Sequence, residues 1–277
     1  MEPGGVAELA ELIAGRRWVA LTGAGMSTDS GIPDYRGPTS PPANPMLYAD
    51  FVRSADNRRR YWARSFRGWP RMLRARPNAG HVALASLAGA GLAGVLTQNV
   101  DGLHTAAGSP DVIDLHGRLA EVICLACGEV SDRADLQVRL AAANPDAAGL
   151  DIAPGQAELR PDGDLEVDDH RSFVVPDCET CGGVLKPHVV FFGESVPRER
   201  VTRAYALVDG AEVLVVLGSS LAVMSGLRFP RHLVRTGRSV AIVNRGATRG
   251  DELATVRLAA GTSETLGALA AALSAPA

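Results

Sequence analysis

Apolar and polar residues alternate along most of the chain in a pattern that predicts short strands and helices in turn. Strands followed by helices favour a parallel sheet with right-handed crossovers. We therefore expect a doubly wound, Rossmann-like α/β fold. The predicted strands are 17–22, 92–100, 111–117, 189–192, 212–220 and 239–244, and the predicted helices are 6–14, 78–91, 198–208 and 224–236.

Three regions interrupt this alternation. Residues 23–45 are rich in Gly, Pro, Ser and Asp and form a loop longer than a simple connection, as functional loops often are. Residues 46–76 form an arginine- and aromatic-rich helical segment, and the stretch after residue 120 has no long apolar periodicity. We predict one main domain from 1–120 and 185–277, with an inserted module at 121–184 whose acidic stretch 144–170 is a surface excursion.

Composition excludes several classes of protein. The chain has 277 residues, 46% hydrophobic and 21% charged, as expected of a globular protein. Its net charge of -3 gives no broad attraction for nucleic acid or an anionic membrane, although the basic stretch 53–64 leaves local binding open. No apolar run reaches the roughly 18 residues of a membrane span. The acidic N-terminus resembles neither a signal peptide nor a transit peptide, so a cytoplasmic location is expected.

All four cysteines fall in two C-x-x-C pairs, Cys124 with Cys127 and Cys178 with Cys181. Scattered buried thiols and two disulfides are the alternatives, and disulfides are rare in a reducing compartment. Two such pairs supply four thiolates for a tetrahedral ion, which is the pattern of structural zinc sites. Because four sulfur ligands leave no position open for water, we expect one zinc ion that holds structure.

The first predicted strand ends in Gly-Ala-Gly. Gly23 and Gly25 would let the backbone approach a pyrophosphate at a helix N-terminus, although a lone Gly-x-Gly is also an ordinary turn. A dehydrogenase would need an acidic residue at a strand end about 20 residues later, and that position lies in PPANPMLY, which is no strand. Asn244 is a better candidate for the adenosine ribose, with Gly218 and Ser219 nearer the phosphates.

Polar or glycine residues end nearly every predicted strand, and such ends meet at one edge of a parallel sheet. The densest group is TQNVDGLH, with Gln98, Asn99, Asp101 and His104. Helix capping by Asp101 is the alternative role for this group. His116 on the next strand end is a candidate base, His104 could serve in capping or support, and structural roles are expected for His81, His170 and His232.

These motifs, in this order, resemble the sirtuins, the NAD-dependent protein lysine deacylases, over nearly the whole chain. The matching motifs are GAGMSTDSGIPDYRG, TQNVDGLH, LHG, the two C-x-x-C pairs, KPHVVFFGE, LGSSL and NRG. The segment FVRSADNRRRYWARSFRGWP, the stretch GATRGDELA and the 50 residues between the cysteine pairs look most like the class II branch.

The resemblance implies that NAD is consumed rather than reduced. The acyl-lysine oxygen attacks the ribose carbon as nicotinamide leaves, and His116 then acts as general base on the ribose hydroxyls, near Asn99 and Asp101. The products are lysine and O-acyl-ADP-ribose. The implied NAD contacts are Gly23, Ala24, Gly25, Ile32, Asp34, Tyr35, Arg36, Gln98, Asn99, Asp101, Gly218, Ser219, Ser220, Asn244, Arg245, Gly246 and Thr262.

For the protein substrate, the resemblance implies that an extended acyl-lysine peptide pairs with Val190, Phe192, Gly193 and Glu194. YWAR, from Tyr61 to Arg64, has the spacing of the pair that binds acidic acyl chains in desuccinylating sirtuins, but a solvated helix face over Arg58 to Arg64 is the alternative. Longer, lipoyl-like or branched acidic acyl chains are expected over acetyl. Protein mono-ADP-ribosyl transfer, or a catalytically weak NAD- or acyl-lysine-binding regulator, remains the alternative, and the oligomeric state is not predicted.

Overall fold

A computed structural model describes residues 3–35, 45–147, 163 and 170–274. The helices are α1 Pro3–Ile13, α2 Tyr48–Arg53, α3 Ala55–Arg74, α4 Ala79–Ser86, α5 Leu103–Ala106, α6 Arg133–Ala143, α7 Arg198–Asp209, α8 Met224–Arg235 and α9 Thr262–Ser274. The strands are β1 Trp18–Thr22, β2 Leu92–Thr97, β3 Val112–Asp114, β4 Gly117–Cys124, β5 Val130–Asp132, β6 Leu185–Val189, β7 Val213–Leu217, β8 Ser239–Val243 and β9 Val256–Leu258.

The main sheet has six strands in the order β3-β2-β1-β7-β8-β9, and every neighbouring pair is parallel. The chain winds outward from β1 in one direction and from β7 in the other, so the switch point of the topology lies between these two strands. Both are buried along their whole length, which explains why they are continuous apolar runs. The doubly wound parallel fold predicted from the sequence is confirmed.

Helices cover both faces of this sheet. Leu9 of α1, Leu84 of α4 and Leu269 of α9 pack with one face, while Val208 of α7 and Leu227 of α8 pack with the other. All five side chains are fully buried. The two apolar layers hold the sheet rigid, and they leave its carboxyl edge to carry the functional groups.

A second, three-stranded antiparallel sheet has the order β5-β4-β6. It shares a separate apolar cluster with α3 and α6, in which Trp62, Val122 and Leu136 are buried. Arg133 is also buried there, with its guanidinium 5.3 Å from the Trp62 ring centre and 5.1 Å from that of Trp69. The aromatic residues of the 46–76 segment therefore form the core between α3 and this small sheet.

One strand prediction is wrong in position and in partner. The strand expected over 189–192 in the parallel sheet instead spans Leu185–Val189 and pairs antiparallel with β4. After Val189 the chain leaves the sheet, and Phe192 makes only an isolated parallel bridge with Leu47. The apolar run Val189–Phe192 is buried at alternate residues against the α2–α3 cluster and not inside the main sheet.

Helix α6 lies inside the cysteine module and was not predicted. Asp132 caps its N-terminus by accepting a 2.7 Å hydrogen bond from the Ala134 N–H, and Leu136 and Leu140 are buried at a spacing of four residues. Much of the acidic stretch 144–170 lies outside the described residues. Within the described part of the chain, no helix has the length and apolar character needed to cross a membrane.

Candidate active site

A cleft of about 1270 Å³ opens at the carboxyl edge of the main sheet. The turns after β1, β2, β3, β7 and β8 all contribute to its walls, as expected for strand ends that meet at one edge. Every described residue that the sequence assigned to NAD, to the base or to the peptide lines this cleft. Arg36 is the one predicted contact that lies outside the described residues.

Glycines let the turns after β1 and β7 pack against each other. The Gly25 N–H donates a 2.9 Å hydrogen bond to the Gly218 carbonyl, and a side chain on Gly218 would place its Cβ 2.6 Å from the Gly25 carbonyl carbon. Gly218 also has a φ of 61°, which disfavours other residues. A Cβ on Gly23 would lie 2.7 Å from the Cβ of Ser219. The glycines thus serve the contact between the two loops as well as any approach to a pyrophosphate.

The polar residues after β2 form a connected network. Asn99 donates through Nδ2 to the Gly23 carbonyl at 3.0 Å and to Ser27 Oγ at 3.0 Å. Ser27 in turn donates to Asp101 Oδ2 at 2.7 Å, while Asp101 Oδ1 accepts from the Leu103 N–H at 2.9 Å. One Asp101 oxygen thus pairs with the N–H of the first residue of α5, whose N-cap residue is Gly102. The other oxygen ties the turn after β2 to the loop after β1.

Gln98 connects this network to the turn after β7. Its Nε2 donates a 2.7 Å hydrogen bond to Ser219 Oγ, and its backbone N–H donates to the Thr22 carbonyl at 3.0 Å. A Cβ on Gly226 would lie 2.5 Å from Gln98 Oε1, so α8 begins close against this side chain. Gln98 is thereby held across the switch point of the sheet.

His116 is held on both sides of its ring. Nδ1 lies 2.9 Å from the Gln98 carbonyl oxygen, and Nε2 lies 2.8 Å from Ser225 Oγ. Burial lowers the pKa of His116 to about 4; the hydrogen bond to Gln98 works against this shift, and the positive charge of Arg200 adds to it. The imidazole is therefore neutral near pH 7, which is the state a general base requires.

His104 and His81 are packed together beneath the cleft, and neither lines it. Their ring centres are 4.7 Å apart, and His104 Nε2 is 2.9 Å from Thr22 Oγ1. Burial lowers the pKa of His104 to about 3, with a further contribution from His81. His81 completes a capping box with Asn78 at the start of α4. His104 thus supports the strand ends, which is one of the two roles expected for it.

The other histidines with predicted structural roles lie away from the cleft. His170 Nε2 is 3.2 Å from Asp56 Oδ2, and His232 Nε2 is 2.6 Å from Asp209 Oδ1. The hydrogen bond from His232 is the largest cause of a lowered pKa at Asp209. Both contacts join neighbouring surface elements.

One end of the cleft is closed by the loop after β1. Ile32 is buried, and Asp34 and Tyr35 line the wall beside it. The Tyr35 ring meets the Phe192 ring edge to face at a centre-to-centre distance of 6.0 Å. This contact joins the predicted nicotinamide side of the cleft to the predicted peptide side.

The opposite end is built from the turn after β8. Asn244 Nδ2 donates to the Gly246 carbonyl at 2.8 Å, and Arg245 lies against Gly261. Arg257, which the sequence analysis did not single out, donates to the carbonyls of Asn244 at 3.0 Å and Gly246 at 2.7 Å. Nothing in its local sequence signals this role, because these partners are backbone oxygens in the turn after β8. The Nε of Arg257 also donates to Asp251 Oδ1 at 2.9 Å.

Two further predicted contacts lie in the same wall. The hydroxyl of Thr262, the first residue of α9, donates to the Gly25 carbonyl at 3.3 Å. Ser220 lines the cleft beside Ser219, and its carbonyl accepts a 3.0 Å hydrogen bond from the Arg249 N–H. These contacts hold α9 and the β8–β9 connection against the turns after β1 and β7.

The predicted peptide-binding residues follow β6. The Val190 N–H donates to the His116 carbonyl at 2.8 Å, and the Phe192 carbonyl accepts from the Tyr48 N–H at 3.0 Å. The Val190 N–H is already used, so a peptide would have to pair with other N–H groups of this segment, while the Phe192 carbonyl oxygen keeps a second lone pair. Gly193 has a φ of 79°, which turns the chain before Glu194. The segment is thus fastened at both ends.

Lys186 on β6 holds the segment after β6 in place through Glu194, and it was not among the residues predicted from the sequence. It is the only lysine among the 277 residues and is 3% exposed. Its Nζ lies 3.0 Å from Glu194 Oε2 and 4.7 Å from the centre of the Phe191 ring. Burial lowers the pKa of Lys186, and the charge of Glu194 works against this shift. That the sequence contains a single lysine is the signal that could have drawn attention to this residue.

Tyr61 and Arg64 differ in their relation to the cleft. Tyr61 is buried, lines the cleft, and packs its ring 5.6 Å from Phe51 and 5.2 Å from Phe191. Arg64 is half-buried on the same helix and does not line the cleft. The solvated-face interpretation is therefore wrong for Tyr61, which belongs to the core.

The four cysteines form one cluster in the small module, with all sulfur atoms within 4.8 Å of one another. Cys124 and Cys181 have sulfurs 3.5 Å apart, and those of Cys127 and Cys178 are 3.9 Å apart. Tetrahedral zinc with Zn–S bonds of about 2.3 Å places its sulfurs about 3.8 Å apart. The four side chains are therefore positioned to hold one zinc ion, as the C-x-x-C pairs predicted.

Curated proteins similar to this chain carry closely related names. It is 54% identical over 268 residues to NAD-dependent protein deacetylase 1 of Mycobacterium avium (strain 104), covering 96% of this chain and 95% of the relative. It is 52% identical over 259 residues to NAD-dependent protein deacetylase 1 of Streptomyces coelicolor, covering 92% and 85%.

Solved structures show the same likeness. A complex of a Sir2 protein with a p53 peptide and NAD+ has a TM-score of 0.71 and 31% identity, and the match covers 95% of each chain. The ADP-ribose complex of a mutant Sir2 homologue has a TM-score of 0.74 and 28% identity. That match covers 96% of this chain and 95% of the solved chain. The Sir2 family model matches residues 23–225. This chain belongs to the Sir2 family.

Proposed function

We propose that this protein is an NAD-dependent protein lysine deacylase, which removes acyl groups from lysine side chains with release of nicotinamide and O-acyl-ADP-ribose. The observation that carries the proposal is His116, a neutral histidine held on both ring nitrogens in the wall of a cleft at the switch point of the sheet. The relatives named as NAD-dependent protein deacetylases support the same conclusion.

In this proposal NAD lies along the cleft as a co-substrate that supplies an electrophilic ribose carbon. The turns after β1 and β7 hold its phosphates, and Asn244 with Arg245 binds the adenosine ribose. Ile32, Asp34 and Tyr35 enclose the nicotinamide end and exclude water from it. The Asn99–Ser27–Asp101 network keeps that end of the cleft in shape before NAD arrives.

His116 acts as the general base. Its neutral ring accepts a proton from a ribose hydroxyl, and the carbonyl of Gln98 holds the ring while it does so. The low pKa of the ring keeps it available as a base over a wide pH range, at the expense of basicity. Gln98 also contacts the ribose side of the cleft, where Ser219 orients its amide.

The protein substrate enters as an extended peptide beside Val190, Phe192, Gly193 and Glu194. We infer that the acyl chain extends toward Tyr61, which lines the cleft among aromatic rings. Such an apolar wall suits an acyl chain longer than acetyl. The class II likeness of the 51–70 segment points the same way.

Two larger-scale assignments belong to the proposal. Residues 1–120 and 185–277 form the NAD-binding domain, with a helical segment at 46–76, and residues 121–184 form the inserted module. The zinc ion held by the four thiolates would stabilise that module and take no part in the chemistry. Cysteines that hold zinc as thiolates must stay reduced, which suits a reducing compartment and supports a cytoplasmic location.

The test is incubation with NAD and a panel of acyl-lysine peptides, from acetyl to lipoyl and branched acidic chains, read by mass spectrometry. We expect free lysine, nicotinamide and O-acyl-ADP-ribose in equal amounts. His116→Ala should lower the deacylation rate by about 10²- to 10⁴-fold while the fold is retained. Release of no nicotinamide with any peptide or protein would refute the proposal. ADP-ribosylated protein with intact acyl-lysine would favour the ADP-ribosyltransferase instead.

A further inference from the structure

The base His116 has a partner that the sequence analysis did not single out. Ser225, the second residue of α8, places its Oγ 2.8 Å from His116 Nε2. The two residues are 109 positions apart in sequence, and both line the cleft. The fold places the start of α8 beside the turn after β3, so no local motif could reveal the contact.

The hydrogen bonds of the ring determine which nitrogen carries the proton. The Gln98 carbonyl oxygen, 2.9 Å from Nδ1, can only accept, so Nδ1 is the protonated nitrogen of the neutral ring. Nε2 then presents a lone pair, and the Ser225 hydroxyl is its donor. The burial that lowers the pKa of His116 keeps the ring in this neutral form near pH 7, with Arg200 as the charged group that adds to the shift.

That lone pair is the site at which a base must receive a proton. A histidine ring rotates about two side-chain bonds, and one hydrogen bond at Nδ1 leaves it free to pivot. A second hydrogen bond at Nε2 removes this freedom and keeps the lone pair directed into the cleft. The cost is small, because a ribose hydroxyl can replace the serine hydroxyl at the same nitrogen.

We propose that Ser225 is a positioning residue, which holds the Nε2 lone pair of His116 in the cleft and is replaced there by a ribose hydroxyl of NAD. This proposal rests on the deacylase function above. It separates the reaction into two parts. Departure of nicotinamide under attack by the acyl oxygen removes no proton and does not use the base, whereas the later attack by the ribose hydroxyl does.

The experiment compares two activities of the full chain: deacylation of an acyl-lysine peptide, and exchange of labelled nicotinamide into NAD in the presence of that peptide. For Ser225→Ala we expect deacylation to fall about tenfold, the effect of one lost hydrogen bond, with exchange changed less than about twofold. Ser225→Thr, which keeps a hydroxyl, should restore most of the deacylation rate. Ser86→Ala, which removes an exposed hydroxyl that donates to the Ala83 carbonyl on α4, is the matched control and should change neither activity.

Unchanged deacylation in Ser225→Ala would overturn the proposal, and so would an equal fall in both activities, since that pattern indicates a general loss of structure. A second readout does not depend on catalysis. The ¹⁵N resonance of His116 Nε2 should move in Ser225→Ala while that of Nδ1 stays in place, and an unmoved Nε2 resonance would also refute the contact. A wild-type protein inactive in both assays would refute the deacylase function, while the ¹⁵N comparison would still test the hydrogen bond.

Discussion

His116 and His104 lie at the same edge of the main sheet, but they have different roles. Both lose basicity through burial, with pKa values lowered to about 4 and about 3. His116 has a partner on each nitrogen and faces the cleft. His104 packs against His81 and Thr22 away from it, and among the described residues its Nδ1 has no hydrogen-bond partner. Both pKa values are lowered, so what distinguishes the candidate base His116 from the structural residue His104 is that only His116 lines the cleft.

His104 should make the fold sensitive to acid. The unfolded chain takes up a proton on this side chain below its ordinary pKa of 6.5, whereas the folded protein does not until about pH 3. The free energy of unfolding therefore falls as pH drops below 6.5, by about 2 kcal/mol at pH 5 from this group. Urea unfolding at a series of pH values measures it. His104→Gln should show a shallower slope between pH 6.5 and 4, and an identical slope would contradict this account.

For single residues, the sequence suggested which side chains belong to the candidate site, but not which partners hold them in place. His116, Asn99 and the cysteines could be chosen because their chemistry restricts what they do. Ser225 and Arg257 could not, since serine and arginine are common in surface positions and the partners described above lie 109 and 13 residues away in sequence. Lys186 stands out as the only lysine, but nothing in the sequence indicates Glu194 as its partner.

At the scale of elements, the turns after β1 and β7 depend on each other. Gly218→Ala should place a Cβ 2.6 Å from the Gly25 carbonyl carbon and force a φ of 61° on alanine. The loops would have to separate, so we expect the dissociation constant of NAD, measured by calorimetry, to rise at least about tenfold.

Gly237→Ala is the matched control for that change. Gly237 has a φ of 74°, but no neighbouring atom lies within 4 Å of the position that a Cβ would take, and it lies in the turn between α8 and β8. The substitution should lower stability by about 1 kcal/mol through backbone strain and leave NAD binding unchanged. Equal NAD affinities in the two variants would show that the loop contact is unimportant.

The two partners of the Lys186–Glu194 ion pair, which holds the segment after β6 in place, differ in their exposure to water. Lys186 is 3% exposed while Glu194 is 21% exposed, so a carboxylate that loses its partner can reach water, whereas the ammonium would stay buried with only the carbonyls of Pro187 and Val189 as hydrogen-bond acceptors. Glu194→Gln should therefore lower the free energy of unfolding by about 3 kcal/mol, and Lys186→Met by closer to 1 kcal/mol. Denaturant unfolding of both variants checks the order, and a larger loss in Lys186→Met would reverse the conclusion.

Elements of the parallel sheet were predictable because strands buried on both faces are short continuous apolar runs between helices. The small sheet was not, since β4 breaks strict alternation at Ala120 and Glu121, where its register with β6 also shifts, and β5 is exposed throughout. Val189–Phe192 resembled another core strand because it is a continuous apolar run, but its buried residues, Val189 and Phe191, pack against α2 and α3. Periodicity reports that a residue is buried and not which element covers it.

For the whole molecule, the cysteine cluster sets the stability of the small module. Cys178→Ser should remove a thiolate from the site, release zinc, and unfold the region around β5 and the cysteine turns, since metal binding and folding are coupled. Zinc content and the thermal unfolding curve measure both effects. The parallel sheet should remain folded, because its two apolar layers do not include the module's cluster. A metal-free variant with an unchanged unfolding curve would refute the structural role.

The solitary lysine has a consequence for the enzyme's own regulation. Any protein sharing a compartment with reactive acyl donors gradually accumulates modified lysines, and such marks commonly tune activity. Here the single available amine of this kind, Lys186, is enclosed by Phe191, Tyr48 and its carboxylate partner. The folded protein thus presents no lysine side chain for acylation, and none for a second copy to deacylate. When reactive acyl donors accumulate, we therefore expect lysines of the substrate proteins to become acylated while the folded enzyme carries no acylated lysine.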